Sequence, residues 1–130
     1  MSSPDRYRDF ADLVAVIEQL RAPGGCPWDR QQTPSSLKKY LLEESSELAE
    51  AIDREDPDHI CEETGDLMYI LVLLILMHEE KGLFDLREAL GGIARKMIRR
   101  HPHVFAGKET GSRHELRLQW EEIKASEKSG

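Results

Sequence analysis

Thr33–Met77 reads TPSSLKKYLLEESSELAEAIDREDPDHICEETGDLMYILVLLILM, and where its acids fall decides how the chain folds. Thr33 followed by Pro34 is a helix start. The threonine hydroxyl can accept a bond from an early backbone N–H, and proline lacks the N–H that would go unpaired there. Asp56-Pro57 repeats the signal. The stretch therefore predicts two helices, one to about Arg54 and one to about Lys81, the second stopped by Gly82. Leu37, Leu41, Leu48, Ala51 and Ile52 form an apolar stripe on the first. Ile60, Leu67, Ile70, Leu71, Leu74 and Met77 form one on the second. Glu44 falls inside the first stripe and Glu63 inside the second, with Glu47 and Asp66 at the edges. Glu43, Glu50 and Glu62 point away, as acids on a solvated helix face do.

A carboxylate buried without a partner costs on the order of several kcal/mol and sooner takes up a proton than stays charged. A fold-back at Glu55-Asp56 sets Glu44 opposite Asp66 and Glu47 opposite Glu63, in one cluster a helical turn tall. No Lys or Arg lies in either stripe to offset four like charges. A hard divalent cation does so, since Mg²⁺ prefers oxygen ligands. With no His or Cys in the set, zinc is disfavoured. Mg²⁺ held by a few carboxylates keeps positions open for water and for substrate phosphates. Taken alone, the residues predict metal-assisted phosphate chemistry with the substrate open.

Outward from this hairpin the pattern stays helical. Asp5 to Arg21 carries Phe10, Leu13, Val14, Ile17 and Leu20 at helical spacing. Ala22–Asp29 is too rich in Pro and Gly for regular structure and reads as a loop. Asp85 with Glu88, and Ser112 with Glu115, resemble capping boxes opening two further helices, and His101-Pro102-His103 ends the earlier one. Strand signals are absent and connections are short. The expected class is all-α: an antiparallel bundle of about five helices, one domain over residues 1–130, with flexible ends at 1–4 and 126–130. Met68, Tyr69, Val72, Leu73, Ile75 and Leu76 lie off the stripe that meets the preceding helix. A helix apolar all round must be buried all round. In a chain of 130 residues this predicts a homodimer, with a tetramer of paired dimers as the alternative.

A net charge of −7 argues against nucleic acid as a partner. Cys26 and Cys61 make no CxxC pair, so a reducing cytoplasmic setting is expected, with Cys61 an inert core thiol. The N-terminal residues lack a signal-peptide pattern, and the apolar run Leu67–Met77 is far shorter than the ~20 residues that span a bilayer, so no membrane partner is expected.

Glu43-Glu44-Ser45-Ser46-Glu47, followed by Glu63-Thr64-Gly65-Asp66, resembles the paired acidic motif of the all-α nucleoside triphosphate pyrophosphohydrolases. Gly25-Cys26-Pro27-Trp28-Asp29 with Gln32-Thr33, Gly82-Leu83-Phe84-Asp85, Arg99–Phe105 and Trp120–Lys124 are similar to stretches of the MazG branch, over nearly the whole chain. The resemblance implies the MazG-like helical fold and a homodimer. It also implies hydrolysis of nucleoside triphosphates to monophosphate and pyrophosphate with Mg²⁺, Mn²⁺ being a substitute, in house-cleaning of nucleotide pools. It makes Glu44, Glu47, Glu63 and Asp66 metal ligands, and Lys96, Arg100, Trp120 and Lys124 substrate contacts. Glu43 or Glu47 would take the proton of the attacking water. Better-known members carry two such domains where this chain has one, and Ser45 and Ser46 stand where larger residues are common.

The other candidates each have a bland alternative. Lys96, Arg99 and Arg100 can grip phosphates or merely complement the end of their helix. Trp120 and Lys124 can stack on a base and meet a phosphate, or dock their helix. Trp28 can touch substrate or plug the bundle, and His101 and His103 read as structural. The competing functions are a phosphoribosyl-ATP pyrophosphohydrolase and a catalytically silent helical dimer whose acids hold a structural ion.

Overall fold

The structure of the protein, a computed structural model, describes residues 4–129. Of the ends expected to be flexible, residues 1–3 and 130 lie outside the described residues, while 126–129 belong to the last helix. In order the helices are α1 (Pro4–Arg21), α2 (Pro27–Gln31), α3 (Pro34–Asp53), α4 (Pro57–Glu80), α5 (Leu86–Arg100), α6 (Pro102–Phe105) and α7 (Arg113–Ser129). No strand occurs among the described residues. The five long helices are those expected. The short α2 and α6 fall where the sequence reads as loop and helix end; each opens on a proline, whose fixed φ starts a helical turn without needing its N–H bonded. The chain divides after Leu86 into two compact units.

In the first unit α3 and α4 pack against each other, and α1 packs on α4 and α2. Thr33 caps α3 reciprocally: its hydroxyl accepts from Ser36 N at 3.1 Å, and Thr33 N donates to Ser36 Oγ at 2.9 Å. Asp56 caps α4 through His59 N at 3.4 Å. The hairpin turns at Glu55, whose φ of 53° is left-handed. Glu55 N bonds Ile52 O and Asp56 N bonds Ala51 O, so the last carbonyls of α3 are satisfied as the chain reverses. α4 ends the same way at Gly82, φ 68°, where a side chain would be strained.

Ile17 of α1, Leu37 of α3, and Ile70, Val72, Leu73, Leu76 and Met77 of α4 form the buried core, flanked by Phe10, Leu13, Val14, Tyr40 and Leu41. The second apolar face of α4 is thus covered in part by α1, with Met68 left exposed. Two stripe residues depart from expectation: Ile52 is 54% and Leu71 39% exposed. Both sit where α3 and α4 are apolar over a wider arc than one facing helix can cover. Cys61 is also exposed, contrary to the expected core thiol. It lies one residue past Ile60, which turns it out of the α3–α4 seam.

One polar clamp ties the ends of α1, α2 and α4. Arg21 Nη1 donates to the carbonyls of Asp29 (2.6 Å) and Gln32 (3.0 Å), while Nε and Nη2 reach Glu80 at 2.9 and 2.7 Å. The hydroxyl of Tyr69 donates to the buried Asp29 carboxylate. The Arg21 bond holds the Glu80 carboxyl below its usual range; burial, with Asp29 beside it, raises the Tyr69 phenol. The loop from α1 reaches this clamp by passing so close that a Cβ on Gly25 would lie 2.3 Å from the Leu20 carbonyl.

In the second unit Ser112 and Glu115 cap α7 reciprocally, at 3.2 and 3.1 Å. Glu127 of α7 receives Arg99 and Arg100 of α5, the latter at 2.7 Å. Those two guanidinium groups, Arg100 foremost, bring the Glu127 carboxyl down to about 2. No described residue is in a helix long and apolar enough to cross a membrane.

Arg21→Met keeps the stem and removes the clamp, leaving two carbonyls unpaired. It is expected to lower stability by about 2–3 kcal/mol, read as a lower urea midpoint at unchanged slope. An unchanged midpoint would show that the clamp contributes nothing to the fold.

Candidate metal centre

The turn at Glu55 puts the acids of α3 and α4 in register. Carboxylate oxygens of Glu44, Glu63 and Asp66 lie within 4.8 Å of one another. Glu63 is buried, 6% exposed, Glu44 is half-buried, and Asp66 and Glu47 are exposed at the rim. Glu47 joins the group beside Glu63, whose adjacent carboxyl raises that of Glu47 above the usual range. Glu44 is pushed further, to about 7, first by burial, then by the adjacent carboxyl of Glu63 and the charges of Glu47 and Asp66. Glu43 is exposed and contributes only its charge to Glu47.

Two atoms define what this cluster lacks. Glu44 Oε2 and Glu63 Oε2 are buried and have no hydrogen-bond partner. Such an oxygen must be protonated, hydrated or bound to a cation, and protonating all of them would require several neighbouring pKa values above neutrality at once. The donor set is oxygen only, three to four carboxylates at close range. It therefore fits a hard divalent cation such as Mg²⁺ or Mn²⁺ and suits zinc poorly.

His59 is a neighbour the sequence reading passed over. Its Nε2 lies 3.2 Å from Glu63 Oε1. The signal was available, because His59 is one helical turn before Glu63 on the same face. Tyr40 is a second case: one turn before Glu44 on α3, it packs edge-on against Trp28, with ring centroids 5.7 Å apart. Trp28, 46% exposed, thus lies on helix α2 rather than in a loop.

The remaining candidates belong to the second unit. Lys96 and Lys124 are half-buried on α5 and α7. Arg99 and Arg100 are both paired with Glu127. The Arg100 guanidinium also lies over the Trp120 ring, 4.9 Å from its centroid, and His101 meets that ring edge-on at 5.4 Å. His101 donates Nδ1–H to Met97 O at 2.6 Å, and His103 Nδ1 accepts from the Gln119 amide at 3.1 Å.

Fold and site together define an all-helical protein with a carboxylate cluster gathered between two antiparallel helices. The chain belongs to the MazG nucleotide pyrophosphohydrolase domain family, whose match covers residues 32–105. It is 46% identical over 119 residues to the nucleoside triphosphate pyrophosphohydrolase/pyrophosphatase MazG of Thermotoga maritima, covering 92% of this chain and 45% of that one. It is 41% identical over 118 residues to a nucleoside triphosphate pyrophosphohydrolase of Escherichia coli K12, covering 90% and 45%. The crystal structure of a MazG-related protein from Thermotoga maritima superposes with a TM-score of 0.75 at 31% identity, covering 88% of this chain and 98% of that one. The chain spans less than half the length of the curated relatives it matches.

Glu44 carries a pH signature. Because its carboxyl is raised in the folded state, the stability it contributes is full below its ordinary value of 4.5 and is lost as pH rises through about 7. In chelator, the protein is therefore expected to lose stability across that window. Glu44→Gln cannot ionise and should flatten this slope, leaving the variant the more stable of the two at about pH 8. Parallel denaturation curves for the two proteins across the window would contradict the assigned burial and repulsion.

Proposed function

We propose that the chain hydrolyses nucleoside triphosphates to the monophosphate and pyrophosphate, with Mg²⁺ held by Glu44, Glu47, Glu63 and Asp66. The observation that carries this reading is the pair of buried, unpartnered oxygens on Glu44 and Glu63 inside a cluster of carboxylates. Membership of a nucleotide pyrophosphohydrolase domain family, and relatives bearing the corresponding names, support the choice of bond. When bound, Mg²⁺ supplies a Lewis acid for phosphoryl oxygens and a water of lowered pKa. Mn²⁺ would substitute.

The chain's own residues divide the remaining work. Glu63 and Glu44, fixed by burial, hold the centre rigid, while the exposed Asp66 and Glu47 complete it on the side open to substrate. Glu47, or Glu43 one turn back on the same helix, would accept the proton of the attacking water. Trp28, Lys96, Arg99, Arg100, Trp120 and Lys124 are the proposed substrate contacts. Arg99 and Arg100 would keep Glu127 as their structural partner, which fixes their forks for phosphate.

The apolar residues left exposed favour a homodimer. Leu42, Ile52, Met68 and Leu71 on α3 and α4 and Leu90, Ile93 and Ile98 on α5 are uncovered in the single chain. Nucleotide-pool house-cleaning in the cytoplasm is the proposed setting, with a nucleoside triphosphate as the partner molecule.

Product analysis on a panel of ribo- and deoxynucleoside triphosphates tests the reaction. Monophosphate and pyrophosphate are expected with Mg²⁺, none in excess chelator, and a loss of at least about a hundredfold in kcat for Glu63→Gln. Orthophosphate and diphosphate would overturn the proposed bond. Turnover of phosphoribosyl-ATP alone would move the substrate, and metal-dependent melting without any turnover would leave only a structural ion.

A further inference from the structure

The two oxygens of the buried Glu63 carboxylate are in different situations. Oε1 lies 3.2 Å from Nε2 of His59, while Oε2 is buried and has no hydrogen-bond partner. An ionised carboxylate only accepts, so the ring donates Nε2–H in this contact whatever its other nitrogen carries. His59 is not itself one of the cluster. Glu44, Glu63 and Asp66 have ligand oxygens within 4.8 Å of one another, and the imidazole is outside that set. It meets Glu63 from a side chain that is 32% exposed, as a neighbour of the centre and not as part of the core.

Placement of the ring is set by the start of α4. His59 is the third residue of the helix, and its backbone N–H donates to the capping carboxylate of Asp56 at 3.4 Å. Glu63 follows one turn later on the same face. Helix stability gives no reason for a histidine here, since it is a middling to poor helix former and the first turn favours acids. A partly exposed histidine–carboxylate pair also adds little to the fold. What the contact does control is how many oxygens Glu63 can offer. With both free, a carboxylate can chelate one cation through two oxygens, which the larger and more flexibly coordinated Ca²⁺ accommodates and the strict octahedron of Mg²⁺ resists. With Oε1 engaged by His59, Glu63 offers Oε2 alone.

We propose that His59 is a positioning residue of the metal centre: by holding Oε1 of Glu63 it limits that carboxylate to one ligand oxygen and so favours Mg²⁺ and Mn²⁺ over Ca²⁺. This rests on the metal centre proposed above and goes beyond it, because four carboxylates could hold a cation with no such discrimination. The acids alone do not decide the ion, since carboxylate oxygens suit Ca²⁺ as well as Mg²⁺. The hydrogen bond restricts the count of available oxygens without adding a ligand to the centre.

Titration of the chelator-stripped protein with Mn²⁺, followed by displacement with Ca²⁺, tests this on wild type, His59→Leu and His59→Gln. Wild type is expected to hold Mn²⁺ against Ca²⁺. In His59→Leu the ratio of the Ca²⁺ to the Mn²⁺ dissociation constant should fall about tenfold. His59→Gln, whose side-chain amide keeps an N–H donor, should restore the ratio. A role confined to the fold would weaken both cations alike, so the ratio separates positioning from stability. An unchanged ratio in His59→Leu, or one that His59→Gln leaves lowered, overturns the proposal while Mn²⁺ binding by wild type keeps the centre. Failure of wild type to bind Mn²⁺ removes the centre and the proposal together. Metal-free wild type gives a second reading that needs no variant to fold. At about pH 8 in EDTA, where an ordinary imidazole is neutral, the ring-nitrogen resonances should place the His59 proton on Nε2. A proton on Nδ1 overturns the proposal.

Discussion

The fold is organised around an electrostatic conflict: carboxylates of like charge held together in the seam between two apolar helix faces. Glu63 is as buried as the hydrophobic core residues a turn or two beyond it, and one of its oxygens has no partner. Nothing in the energetics of a helical hairpin calls for this. Leucine in place of Glu44 and Glu63 would complete both stripes and add burial energy. The hairpin instead keeps the acids in register through a turn at Glu55 that requires a left-handed backbone from a residue with a side chain. A cluster maintained at the expense of stability is what a binding centre requires.

The rest of the first unit supports that seam from behind. α1 packs on α4 and adds Ile17 to the buried core, and the Arg21 clamp joins the ends of α1, α2 and α4 through backbone carbonyls and Glu80. Rigidity behind the cluster matters because carboxylates under mutual repulsion would otherwise spread apart, and a centre that spreads loses its fit to a small cation.

Much of the hairpin was legible in the sequence. Thr33-Pro34 and Asp56-Pro57 mark the helix starts by a local hydrogen-bonding logic, and the wheel places Glu44 and Glu63 inward. The side acids Glu47 and Asp66 were expected at the stripe edges and are exposed there. Contacts set by tertiary structure were not legible. The second apolar face of α4 had to be buried, but the sequence could not name α1 as its cover, since any amphipathic helix would serve. Cys61 lies next to a stripe residue, and one step of a helix was enough to turn it outward. Arg99 and Arg100 look like free phosphate ligands until Glu127, 27 and 28 positions away, comes beside them. α2 and α6 were missed because a single helical turn after a proline resembles a loop.

The claim on which the account turns is that the acid cluster holds a divalent cation. Mn²⁺ binding, followed by electron paramagnetic resonance on the chelator-stripped protein, measures it most directly. The account predicts saturable binding that Mg²⁺ displaces and that Glu63→Gln weakens at least about tenfold. Free-ion spectra throughout the titration, or binding that is the same in Glu63→Gln as in wild type, would contradict it.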